Sequence, residues 1–158
     1  MITKALLKMI EYFGGDIRRI NHALKVYGFA QAIREGEKIE NKDTIDVIDL
    51  TAILHDIGIL EAERKHNSNS GKFQELEGPA IAKHIMQEIG VDSDVVDRVC
   101  YIIGNHHSYQ KIDDVDFQIL VEADFIVNIF EDGLSESQKN SILNKYFKTK
   151  TGISFLKN

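Results

Sequence analysis

Apolar residues recur along this chain at three- and four-residue intervals, while strict alternation is scarce, so the pattern predicts helices and little strand. A first helix over 3–13 carries Leu6, Met9, Ile10 and Phe13 on one stripe and is broken by Gly14-Gly15. A second, capped by Asp16 and running toward Lys38, has Ile17, Ile20, Leu24 and Tyr27 on one face. His22, Val26, Phe29 and Ile33 lie on a neighbouring face, so this helix is expected to be buried on more than one side. A third spans 43–54 with Asp43 as its cap and leads into the apolar run 50–60, L-T-A-I-L-H-D-I-G-I-L, where Gly58 supplies a stop.

The stretch 61–77 is polar and holds Ser, Asn and Gly, which reads as a loop. Gly78-Pro79 then opens a fourth helix with proline at its first position; Ile81, Ile85 and Ile89 form its buried face, His84 lies beside them, and Gly90 closes it. Asp92 or Ser93 caps a fifth helix, whose stripe Val95, Val99, Ile102 and Ile103 reaches His106, with His107 next to it. A sixth begins near Asp113 or Asp114 and lines up Phe117, Leu120, Val121, Asp124 and Asn128. The last starts at the capping box S-E-S-Q at 135–138 and buries Ile142, Leu143, Tyr146 and Phe147. The expected fold is therefore an all-α bundle of about six to seven helices in one domain over 1–158, since a single proline and the lack of a Gly- or Ser-rich linker leave nothing to divide it.

Composition narrows the function. With 43% hydrophobic residues the chain can build one core without staples. A net charge of −6 argues against a nucleic-acid surface, which needs a basic patch to meet phosphates. No apolar run is long enough to span a bilayer, so a cytoplasmic protein without membrane contact is expected. The one cysteine, Cys100, excludes an intramolecular disulfide and a CxxC zinc site, and reads as a small core residue.

The chemistry starts at His55-Asp56, two metal-ligand types inside an apolar run. An unpartnered buried carboxylate is too costly to keep. A divalent cation would answer that cost, favoured by the negative end of the preceding helix; a buried ion pair or an Asp turn would answer it too. His22 on its apolar stripe is either a hydrogen-bonded core residue or a ligand. Asp124, in the middle of a core-facing stripe, needs a cation or a donor. With His84, His106 and His107 these make seven nitrogen and oxygen donors, too many for one tetrahedral ion but enough for two ions sharing a carboxylate. Imidazole with carboxylate and no thiolate suits Mn, Fe, Zn, Co or Ni, and disfavours calcium or a structural zinc.

The ordered set His22, His55-Asp56, Asp124 resembles the signature of the HD-domain metal-dependent phosphohydrolase superfamily, and His84 with His106-His107 resembles the pattern of its dinuclear members, including the HD-GYP branch. H-D-I-G, E-G-P-A-I-A before His84 and the apolar helix ending in H-H extend the likeness over about 16–130. The resemblance implies an all-helical domain with a central site. His22, His55, Asp56 and Asp124 would hold one ion, and Asp56 would bridge to a second held by His84, His106 and His107. It further implies two divalent ions from among Mn, Fe, Ni, Co, Zn and Mg, and a bridging hydroxide that attacks phosphorus, with Asp124 or a neighbour taking the proton. Two features depart from the HD-GYP pattern: Ile59 stands where those members carry Lys, and no G-Y-P follows the double histidine, which disfavours a cyclic di-GMP phosphodiesterase. Protonation of the leaving group then falls to His66 or Lys65.

The expected activity is that of a phosphomonoesterase or phosphodiesterase acting on a small phosphorylated metabolite, with a nucleotide the leading candidate. The competing readings are a metal-binding sensor or interaction module without turnover, and a di-iron oxidative enzyme on the same ligands. The 61–77 stretch is either solvated surface or a lid; as a lid, its Arg64, Lys65 and Lys72 would bind the non-scissile phosphates, Arg64 bidentately.

Overall fold

Residues 47–54 are buried on every side, and the other helices of the computed structural model, which describes residues 1–157, are arranged around them. In chain order the helices are α1 (Ile2–Phe13), α2 (Ile17–Gly36), α3 (Lys42–Leu54), α4 (Ile59–His66), α5 (Gly71–Glu88), α6 (Ser93–Ile103), α7 (Val115–Glu131), α8 (Glu136–Tyr146) and α9 (Lys150–Lys157), with a 3₁₀ turn at Tyr109–Lys111 before α7. No strand occurs among the described residues. α3 packs against α1, α2, α6 and α7, which is why it is apolar all round; α2 also lies along α7, α5 covers α6 and α4, and α9 returns onto α2 and α7. Ile48, Leu50, Ile53 and Leu54 are at most 1% exposed, each contributing about 2 kcal/mol by burial. Among the described residues no helix is long and apolar enough to cross a membrane.

Buried charge ties the helices together where apolar packing alone would leave their register loose. Arg34 on α2 grips Asp49 on α3 through two hydrogen bonds of 2.9 and 3.1 Å. Arg98 on α6 holds Asp116 at the start of α7 and Asp113 just before it. Glu122, fully buried in α7, accepts hydrogen bonds from Gln118, from the backbone N–H groups of Lys148 and Thr149, and from the Thr149 hydroxyl, and so anchors the entry to α9.

Four expectations need correction. The cap of α3 is Asn41, whose side chain accepts from the Thr44 N–H at 3.0 Å, and Asp43 falls in the first turn. The 61–77 stretch is not a loop: its Ser, Asn and Gly cluster only at 67–71, and the flanking L-E-A-E-R-K-H and F-Q-E-L-E segments are strong helix formers that complete α4 and open α5. Asn67, at φ 51, supplies the left-handed residue that ends α4. Pro79 therefore sits inside α5 rather than at its first position. With α4 and α9 added, the helices number nine among the described residues rather than six or seven.

Candidate metal centre

Four elements deliver the donors to one point. His22 comes from the first half of α2, His55 and Asp56 from the end of α3, His106 and His107 from the turn after α6, and Asp124 from the middle of α7. His22 Nε2 lies 3.1 Å from Asp124 Oδ1, 3.3 Å from Asp56 Oδ2 and 3.3 Å from His55 Nε2. His55 Nε2 is 3.4 Å from both carboxylates. The other oxygen of Asp56, Oδ1, faces His106 Nε2 at 3.4 Å. One atom each of His22, His55 and Asp56 converge within 4.8 Å, and so do one atom each of Asp56, His106 and His107. Asp56 belongs to both groups.

The opposite ring nitrogens explain why the Nε2 atoms are available. His55 Nδ1–H donates to the Ala52 carbonyl at 2.8 Å and His106 Nδ1–H to the Ile103 carbonyl at 2.7 Å, both bonds reaching back one turn at a helix end. His22 Nδ1 stands 2.6 Å from Glu131 Oε1. With those protons committed, the Nε2 lone pairs point into the cluster, the arrangement by which outer partners set a ligating imidazole. Two such lone pairs 3.3 Å apart repel unless a proton or cation lies between them. His106 Nε2 adds an orphan: it is buried and has no hydrogen-bond partner, a loss that costs about 1–3 kcal/mol without a cation or donor. The donor set of imidazole and carboxylate fits divalent transition ions, an arriving cation displacing any proton on the Nε2 atoms.

Charge follows the same logic. Burial alone would lower the His55 pKa, but Asp56 and Asp124 outweigh it and raise it well above 6.5. His22 is raised too, its hydrogen bond to Asp124 and the nearby carboxylates overcoming burial. Burial would lift Asp56 and Asp124, yet the adjacent imidazoles hold both below the usual carboxylate range. The pocket thus favours positive charge held among ionised carboxylates. His107 behaves differently: burial, then the neighbouring His106, push it down to about 4, so it is a neutral donor at neutral pH.

A family model described as HD domain matches residues 19–142. The chain belongs to the HD domain family. The fold of this HD chain is similar to that of a predicted HD superfamily hydrolase from an uncultured Thermotogales bacterium, whose crystal structure superposes with a TM-score of 0.62 at 21% identity over 99% of this chain and 81% of that one. Among curated proteins nothing matches.

Of the seven donors expected of this HD chain, the structure brings six together and leaves His84 out. The inner stripe of α5 runs through Gly78, Ala82, Ile85 and Met86, and His84, two positions past Ala82, lies on the opposite side of the helix with its side chain 75% exposed and 3.2 Å from Glu88. The polar residues of 61–77 are also committed elsewhere. Arg64 pairs with Glu61, Lys65 lies 3.0 Å from Glu77, and His66 bonds Glu77 at 2.9 Å while stacking on Phe73, against whose ring Lys72 rests at 5.7 Å. None of the four lines the cavity at the cluster, so neither the proton donor nor the phosphate grip expected of them has geometric support.

That cavity, of about 240 Å³, is lined by the donors Asp56, His22, His107 and Asp124 and, outside the donor set, by Arg18, Arg19, Asn69, Gln74, Glu131 and Asp132. Most of these outer residues were missed in the sequence, yet some carry a signal there. Arg18 and Arg19 precede His22 by four and three residues, and Asn128 and Glu131 follow Asp124 by four and seven, so each shares a helix face with a ligand. Asn128 donates to Asp124 Oδ1 at 3.2 Å. Gln74 and Glu75 had no such signal, because they reach His107 from another helix: Gln74 Oε1 lies 3.0 Å from its Nε2, and Glu75 accepts from its backbone N–H at 3.0 Å.

Proposed function

We propose that the chain is a metal-dependent phosphohydrolase that cleaves a phosphate ester or anhydride of a small metabolite, nucleotides being the first candidates. The observation that carries this reading is the two-sided placement of Asp56, one oxygen toward His22 and His55 and the other toward His106. A carboxylate so placed can serve two ions at once. His22, His55, Asp124 and Asp56 Oδ2 would hold one, and His106, His107 and Asp56 Oδ1 the other. When bound, such a pair supplies an acidified water and draws charge from phosphoryl oxygens.

The protein's own part is to fix that geometry. Glu131 and the Ala52 and Ile103 carbonyls orient three imidazoles, and Asn128 orients Asp124. We assign the proton of the reacting water to Asp124 or a neighbouring group.

The test is phosphate release from a panel of nucleotides, sugar phosphates and diesters by protein reconstituted separately with Mn, Fe, Ni, Co, Zn and Mg. Turnover that vanishes in Asp56→Ala supports the reading. Two bound ions with no release from any substrate would instead favour a sensor module, and oxygen uptake by the iron form a di-iron oxidative enzyme.

A further inference from the structure

The cavity walls hold two cations, and only one is spoken for. Arg19 is fastened to Glu63 by hydrogen bonds of 2.6 and 3.2 Å and lies 3.2 Å from Asp16, which leaves its guanidinium directed at α4. Arg18 lines the same cavity, is exposed, and makes no side-chain hydrogen bond or ion pair among the described residues. It sits four residues before His22, on the same face of α2 and roughly 6 Å along the axis. An unpaired arginine in a cavity that also holds Asp56, Asp124, Glu131 and Asp132 is the one positive group left to meet substrate once the donor carboxylates are occupied.

The rest of the lining narrows what Arg18 would meet. Ile59 is the sole aliphatic side chain there, and no Phe or Tyr lines the cavity among the described residues, so the walls offer little apolar surface to the rest of a substrate. Selectivity beyond the scissile phosphate must come from charge and hydrogen bonding.

We propose that Arg18 anchors a second phosphoryl group of the substrate, one helical turn outward from the metal centre, so that the preferred substrates are phosphoanhydrides or bisphosphates rather than monoesters with neutral tails. Planar guanidinium matches a phosphoryl group through paired N–H donors, which a lysine cannot reproduce. The inference rests on the phosphohydrolase reading, and its test separates the two.

Intact protein loaded with manganese and desalted would be titrated calorimetrically with orthophosphate and with non-hydrolysable methylenediphosphonate, as wild type, Arg18→Gln and Arg18→Lys. Because Arg18 is exposed, neither variant should disturb folding, and thermal unfolding checks this. Wild type should bind the diphosphonate more tightly than orthophosphate. Arg18→Gln should weaken diphosphonate binding by about tenfold or more, leave orthophosphate within about twofold, and leave metal content unchanged, with Arg18→Lys intermediate. Unchanged diphosphonate affinity in Arg18→Gln would overturn the role of Arg18 while leaving the phosphohydrolase reading intact. Failure of metal-loaded wild type to bind either anion would overturn both.

Discussion

His22 Nδ1 and Glu131 Oε1 lie 2.6 Å apart, the carboxylate on the last turn of α7 fixing which nitrogen of the α2 histidine faces the cluster. Outer partners of this kind tune affinity rather than make the site. Glu131→Gln should therefore keep the fold and both classes of donor but weaken metal binding roughly 10- to 100-fold. Competition against a chromophoric chelator measures it, and an unchanged affinity would mean that His22 is held by other contacts.

Asp56 shares its two oxygens between two sets of imidazoles, and His84 faces solvent. Protein purified without chelator should carry close to two divalent ions per chain. Asp56→Ala should lose both, His106→Ala chiefly one, and His84→Ala none. Elemental analysis of the three variants decides this, and metal loss in His84→Ala would show that α5 turns inward when ions bind.

The histidine His107 offers a pH test on the chelator-treated protein. Its folded pKa of about 4 lies below the ordinary 6.5, so the unfolded chain takes up the proton first. Its contribution is thus complete above pH 6.5 and declines as pH falls through that window toward 4. Relative to His107→Gln, wild type should lose up to about 3 kcal/mol between pH 7 and pH 4. Urea unfolding at several pH values follows the difference, and a flat difference would place His107 in a wetter setting.

Where α9 meets the middle of α7, Gly152 packs against the Glu122 carboxylate, and a Cβ there would collide with Oε1 and come within 2.8 Å of the Thr149 hydroxyl. Gly152→Ala should destabilise by about 2 kcal/mol or more, since the clash breaks hydrogen bonds to a fully buried carboxylate. A lowered unfolding midpoint with normal metal content is the expected result.

The cation expectations also separate cleanly. Arg64, Lys65 and Lys72 lie outside the cavity, two of them paired with glutamates, so their triple alanine variant should leave KM for the best substrate within about twofold, each exposed pair being worth little. A tenfold rise would restore the phosphate-binding role expected from their nearness in sequence to His55-Asp56.

Much of this protein was legible in the chain because two local signals coincide. Helical phase placed His22, His106 and Asp124 on core-facing stripes, and the residue types told what those positions could hold; the Asp16 cap and the Ser135–Gln138 capping box appeared as the local pattern required. What the chain could not reveal depends on where each helix begins and on which neighbour it meets. α5 starts eight residues before the Pro79 first position would suggest, since residues 71–78 join it, and the inner stripe through Ala82 and Ile85 leaves His84 outside. Only the packing of α2 on α7 brings Glu131 to His22. Only the turn after α6 sets His106 against the second oxygen of Asp56. Nearness along the chain made Arg64, Lys65 and His66 look like parts of the site, yet α4 directs them to Glu61 and Glu77, while Arg18, far away in sequence from His55, lines the cavity. A side chain's chemistry and helical phase are local properties, whereas its partner is chosen by burial of the whole set of helices around α3.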